Sequence, residues 1–222
     1  MGRLVVVDGL DGSGKSTQLA RLDAYFAASE VPYQQISFPD YANPSSALVR
    51  MYLAGQLGDS PDDVNAYAAS SFYAVDRYAS YKQFWQKAYE RGDLILAARY
   101  VTSNAIHQMP KLPRGEWDGY LRWLAEYEYD RLGLPRPDCV VFLDMPPAVA
   151  DKLLRVRYHG DESKKDIHER DRAYVNACRP AALYAAERLG WHVVSCADGD
   201  EPRTPEAITA AILEHIKGDV SF

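Results

Sequence analysis

The sequence predicts an α/β fold with helices packed on both faces of a parallel sheet. Three observations point there: five short apolar runs, longer helical stretches alternating with them, and runs that are continuously apolar rather than alternating. Continuous hydrophobicity marks strands buried on both faces, and the βαβα order places helices on both sides of the sheet. The runs at residues 4–8, 34–38, 93–97, 139–144 and 192–196 are too short for helices and are bounded by Gly, Pro or Asp. Helices are expected at residues 15–29, 45–55, 61–90, 117–132, 146–157, 167–189 and 205–217. Ser60-Pro61-Asp62-Asp63 and Thr204-Pro205-Glu206 are clear starts, with a cap, a proline in the first turn and early acids. No repeat, low-complexity tract or linker divides the chain, so residues 1–222 are expected to form one domain.

The 222 residues can bury one substantial core, and 47% apolar with 25% charged residues is ordinary for a globular protein. A net charge of −6 argues against a duplex nucleic-acid binder that works by neutralising phosphates, so any phosphate chemistry should be local. Cys139, Cys178 and Cys196 are three and scattered, which suits a reducing compartment rather than a disulfide scaffold or a cysteine-cluster zinc site. No run approaches a membrane span, and the start passes directly into an apolar strand without a signal segment, so a cytoplasmic protein is expected.

The strongest chemical signal is Gly9-x-x-x-x-Gly14-Lys15-Ser16, between a buried strand and a helix. Its glycines, Gly9, Gly12 and Gly14, let backbone N–H groups turn inward around phosphate oxygens. Asp11, Ser13 and Thr17 complete the loop, Lys15 supplies a mobile positive charge, and Ser16 is placed to ligate Mg²⁺. The following helix adds the positive end of its dipole. A GTPase would carry the base-reading N-K-x-D, which this chain lacks, and the third strand does not end in the acids of a motor ATPase. A small-molecule kinase using ATP is the simplest reading. Farther on, seven of the twenty-one residues from Lys152 to Arg172 are basic: Lys152, Arg155, Arg157, Lys164, Lys165, Arg170 and Arg172. Such a segment is either a lid that closes over transferring phosphate or a solvated charged hairpin, since five acids are interspersed.

With GLDGSGKSTQ, FPDY at 38–41, FYAVDRY at 72–78, ARYVTSN at 98–104, LGLPRPDCVVFLD at 132–144 and DIHER at 166–170, the chain resembles the thymidylate kinases among the P-loop nucleoside monophosphate kinases. The resemblance implies a three-layer α/β/α domain on a five-stranded parallel sheet, a lid at about 155–172, and a homodimer. It implies transfer of the ATP γ-phosphate to dTMP with Mg²⁺. The residues that carry it over are these. Asp11 reaches the acceptor sugar and phosphate region, or is a turn residue. Phe38 and Pro39 line the acceptor pocket. Tyr73 stacks on thymine and Arg77, four residues on, hydrogen-bonds the base. Eight aromatics lie between Tyr67 and Tyr89, so Tyr73 also reads as core. Arg99 grips the acceptor phosphate, and Ser103 and Asn104 approach the base or cap a helix. His107 stands where many relatives place a tyrosine beneath the sugar.

Because the loop's variable residues Leu10, Asp11, Gly12 and Ser13 include no base, the resemblance moves the catalytic positive charge to the lid, with Arg155 and Arg157 among its carriers. Asp166 and Glu169 are expected to face the metal or the acceptor phosphate. One departure matters. Most relatives have Asp-Arg-Tyr where this chain reads Ala98-Arg99-Tyr100. Asp8, Asp11 or Asp166 substitutes for the missing carboxylate, or turnover is slow, or the chain binds nucleotides without turning them over. Another pyrimidine nucleotide or a deoxynucleoside is the alternative acceptor.

Overall fold

A computed structural model describes residues 1–158 and 167–221, with the backbone alone for residues 155–158, 169 and 170. The central sheet is built from β1 (Arg3–Gly9), β2 (Tyr33–Ser37), β3 (Leu94–Ala98), β4 (Cys139–Asp144) and β5 (His192–Ser195) in the order β2-β3-β1-β4-β5, with every pairing parallel. The five strands are those read from the sequence. β1, β3 and β4 form the interior of the sheet and are almost wholly buried, while the edge strands β2 and β5 carry exposed positions.

Side chains alternate across the pleat and divide the core in two. On one face Val5, Val7, Leu96 and Val141 pack against Leu19, Leu22 and Phe26 of α1 (Lys15–Ala27). The last helix contributes Ile208, Ile212 and Ile216 to the same face. On the other face Leu4, Val6, Ile95 and Ala97 meet Trp85, Tyr120, Leu124 and Ala181, from helices in the middle and late parts of the chain.

The remaining helices are α2 (Ala47–Leu53), α3 (Ala66–Ser80), α4 (Gln86–Arg91), α5 (Thr102–His107), α6 (Trp117–Ala125), α7 (Pro147–Tyr158), α8 (Ile167–Arg170), α9 (Arg172–Leu189) and α10 (Pro205–Asp219). Several differ from the sequence reading. The helix expected over 61–90 is three pieces. Ser60 and Asp63 form a capping box on one 3₁₀ turn, Val64 is extended, and Asn65 caps α3 afresh by accepting from the Ala68 N–H. A π-helical turn at Tyr81–Trp85 then separates α3 from α4. A second π turn, Glu126–Arg131, closes what was expected as one helix over 117–132. Asp171 caps α9 through the Tyr174 N–H and so splits the stretch 167–189. The short α5 and a two-stranded ribbon of β6 (Ala197–Asp198) and β7 (Glu201–Pro202) were not expected. Neither is long enough to show a period.

Candidate active site

Open parallel sheets bind ligands beyond the carboxyl ends of their strands. Here β1 ends in the phosphate loop, β2 in Phe38-Pro39 (a cis peptide) and β3 in Ala98-Arg99. Together they wall a cleft of about 1100 Å³, which α3, α5 and α8 also line. In the loop, Gly12 and Gly14 have φ of 79° and 85°, a region side chains disfavour. A Cβ on Gly9 would sit 2.6 Å from Ser13 Oγ, and one on Gly12 would sit 2.9 Å from the Ala150 carbonyl. The turn is therefore tight enough to aim successive N–H groups inward. Lys15 folds back on it, donating to the carbonyls of Gly9 and Leu10 at 2.8 Å each, and its Nζ lies 3.6 Å from Asp11 Oδ1. Burial, helped by Arg99, brings the Lys15 ammonium down to about 8 against the pull of Asp11 and Asp8.

Arg99 faces it across Asp11. Its guanidinium donates to the same Asp11 Oδ1 at 2.6 Å and to His107 Nε2 at 3.1 Å, and stands 3.6 Å from Asp8 Oδ1. Burial alone would raise the Asp11 carboxyl, but Arg99 and Lys15 outweigh it and hold it well below the usual range. Arg99 is also the one described non-glycine residue with positive φ, 62°, a conformation that costs an L-residue about 1–2 kcal/mol. Asp8 is fully buried and accepts from the Gly9 N–H (2.8 Å), Thr102 Oγ1 (2.6 Å) and Ser103 Oγ (2.7 Å).

Because arginine only donates, His107 accepts at Nε2 and carries its proton on Nδ1. Its ring stacks on His168 at 5.9 Å and 19°, and His168 Nε2 meets the Tyr52 hydroxyl at 2.8 Å. Burial pushes both imidazoles down, His168 to about 3, so the pair is neutral near pH 7.

Deeper in the cleft Arg77 is 1% exposed and forks onto Glu128 with bonds of 2.7 and 2.6 Å, while its third bond goes to the Tyr100 carbonyl at 3.2 Å. Asn104 donates to Glu128 Oε1 (2.9 Å) and the Ser70 carbonyl (3.2 Å). Gln108, one turn later on the same face, is 1% exposed, lines the cleft, and has no partner among the described residues at Oε1 or Nε2.

The family model described as thymidylate kinase matches residues 7–201. The chain belongs to the thymidylate kinase family. A thymidylate kinase of Mycobacterium tuberculosis is 30% identical over 191 residues, 85% of this chain and 87% of that one. A probable thymidylate kinase of Pyrobaculum aerophilum is 25% identical over 218 residues, 98% of each. The structure of a thymidylate kinase from Candida albicans superposes with a TM-score of 0.70 at 21% identity, covering 98% of this chain and 92% of that one, and it shares the fold. The chain is thus a nucleoside monophosphate kinase that phosphorylates dTMP, in a family whose phosphate donor is ATP.

Gly9, Asp11, Gly12, Ser13, Gly14, Lys15, Ser16 and Thr17 are together around α1's start, and all but Gly9 line the cleft. Phe38, Pro39, Tyr73, Arg77, Arg99, Ser103, Asn104 and His107 line it too. Three have less to offer a ligand than the sequence suggests. The Ser103 hydroxyl is given to Asp8, Arg77 has three of its five N–H groups engaged, and the amide hydrogens of Asn104 are engaged, leaving its oxygen. The side chains of Arg155, Arg157 and Glu169, and all of Lys164, Lys165 and Asp166, lie outside the described residues.

Sequence reasoning missed Gln108, His168 and Glu128. Gln108 had a signal, its spacing of four from Asn104. Glu128, 51 residues from Arg77, had none. Replacing Glu128 with Leu strands the buried Arg77 charge, and breaking one partner of such a pair costs about 3–5 kcal/mol. Urea unfolding is expected to register a loss of that size with an unchanged slope; a loss below about 1 kcal/mol would contradict the pair's structural role.

Proposed function

We propose that the chain transfers the γ-phosphoryl group of Mg²⁺-bound ATP to dTMP in this cleft, and that Ala98 keeps its turnover below what the other groups support. The observation that carries the reading is the convergence of Lys15 and Arg99 on one oxygen of Asp11, at 3.6 and 2.6 Å. One cation belongs to the phosphate loop, the other to the acceptor side, and the point between them is where a transferring phosphoryl group needs its charge offset.

The loop residues fit a triphosphate: Ser13 Oγ is buried without a partner among the described residues, and a Cβ on Gly9 or Gly12 would close the cradle. Mg²⁺, held through Ser16 with most of its water retained, would neutralise phosphate charge. The protein's own groups do the rest. Lys15 gives up the two carbonyls it now holds and grips the donor phosphates. Arg99 orients the acceptor phosphate, whose oxygen is already an anionic nucleophile, so no strong base is required. Phe38 and Tyr73 flank the base, while Gln108 with the remaining hydrogens of Arg77 and the oxygen of Asn104 reads its edge. The neutral His107–His168 stack lies on the sugar side. The resemblance adds Arg155 and Arg157 as positive charge for the transferring phosphoryl group, and Asp166 and Glu169 as acids for the metal.

A cytoplasmic homodimer completes the proposal. Tyr67, Val75, Tyr78 and Phe84 are 39–54% exposed along α3 and the turn after it, an apolar face for a second copy. The net charge of −6 gives no general attraction to nucleic acid, and no described helix is long and apolar enough to cross a membrane. An ADP-release assay with Mg·ATP and dTMP, dUMP, dCMP or thymidine tests the reading. We expect dTMP to exceed dCMP by at least about 100-fold in kcat/KM, because a base edge of the wrong donor pattern leaves Gln108 unpaired. Preference for thymidine, or ATP binding with no ADP from any acceptor, would overturn it.

A further inference from the structure

At the opposite end of the sheet, where the strands begin, Cys139 opens β4, His192 opens β5 and Asp219 closes α10. Among the described residues, one group of three metal-ligating side chains converges, and it is this one: a ligating atom of each lies within 4.8 Å of the others. His192 Nε2 and Asp219 Oδ2 are 2.6 Å apart. Cys139 is level with Val5 on β1, four residues before Gly9, so at the rise of a parallel strand the group is about 13 Å from the phosphate loop.

We propose that Cys139, His192 and Asp219 form a second divalent-cation site, selective for zinc-class ions and separate from the catalytic cleft. The donor set is what selects the ion. Thiolate, imidazole and carboxylate are zinc ligands, whereas Mg²⁺ demands oxygen in octahedral array. The geometry needs little adjustment. Zinc bonds of about 2.0–2.3 Å in a tetrahedron hold ligand atoms about 3.3–3.7 Å apart, so the present separations change by about 1 Å: the His192–Asp219 contact opens and the others close. The cluster is closed on one side and accessible on the other. Cys139 is 2% exposed, while the side chains of His192 and Asp219 are 30% and 34% exposed, which leaves an entry path and room for a water as fourth ligand. His215, one turn before Asp219 on α10, stacks on His192 at 4.2 Å and 16° and fixes the ring. On binding, the ion replaces the thiol proton, which passes to solvent, and the His192 proton sits on Nδ1 so that Nε2 is free to ligate. The three ligands belong to β4, β5 and α10, so the bound ion ties the last helix to the sheet.

The test uses the full chain with excess Mg²⁺ and titrates in Co²⁺, then Zn²⁺ against a chromophoric chelator. We expect one equivalent of Co²⁺ with a thiolate-to-cobalt charge-transfer band that Cys139→Ser removes. Zinc affinity should fall at least 10-fold in His192→Ala and in Asp219→Asn, whose partly exposed side chains can change without unfolding the chain. Saturating zinc should raise the Tm of the native chain by about 5–10 °C and that of these two variants far less. Absence of the thiolate band, or zinc affinity unchanged in both variants, would overturn the proposal.

Discussion

Arg99→Ala is expected to lower kcat/KM for dTMP about 10³-fold, equivalent to about 4 kcal/mol of transition-state stabilisation. The size follows from what the guanidinium holds together. It is tied to Asp11, His107 and Asp8 at once and is placed by a backbone φ of 62°. A fork with several N–H groups in one plane can hold a phosphate and a carboxylate together, which a lysine cannot. Arg99→Lys should therefore recover only part of the loss. Stability should move the other way or scarcely at all. Asp8 keeps three donors without Arg99, and Asp11 is 39% exposed in its side chain. Arg99→Gly also releases the left-handed strain. Steady-state kinetics together with thermal unfolding of Arg99→Gly separates the two roles. A variant as stable as the parent and about 10³-fold slower is the expected result. A variant that is unstable but kinetically intact would show that Arg99 serves the fold.

How much of this was visible in the sequence depended on how local each feature is. The phosphate loop was fully legible because its glycines, Lys15 and Ser16 are contiguous and their flanking strand and helix are strongly patterned. The five strands were legible because β1, β3 and β4 are buried on both faces and so lack alternation. The helix breaks were not. Asn65 and Asp171 interrupt helical patterns by capping from within, and an amphipathic pattern runs through such a cap unchanged. Long-range pairing hid the rest. The sequence offers Arg77 and Ser103 as ligand groups, but nothing local shows that Glu128 and Asp8 take up much of their hydrogen-bonding capacity. His168 sits between Asp166 and Glu169, and its stack on His107 joins residues 61 apart in the chain.

The second large effect concerns Ala98, the last residue of β3, 7% exposed in the wall of the cleft. Of the acids that could replace the family's aspartate there, Asp8 accepts three hydrogen bonds and Asp11 is shared between Arg99 and Lys15. Asp166 lies outside the described residues. An aspartate at position 98 would join Asp8 and Asp11 beside Lys15 and Arg99, one carboxylate more than the cations there, and its charge would be balanced by a Mg²⁺ bound with ATP. One well-placed charge-stabilising group is worth about 10²–10³ in rate. The direct test is kcat for ADP formation at saturating Mg·ATP and dTMP in the native chain and in Ala98→Asp. The account predicts a rise of about 100-fold or more with dTMP affinity little changed. Equal or lower turnover in a folded, dTMP-binding variant would contradict it.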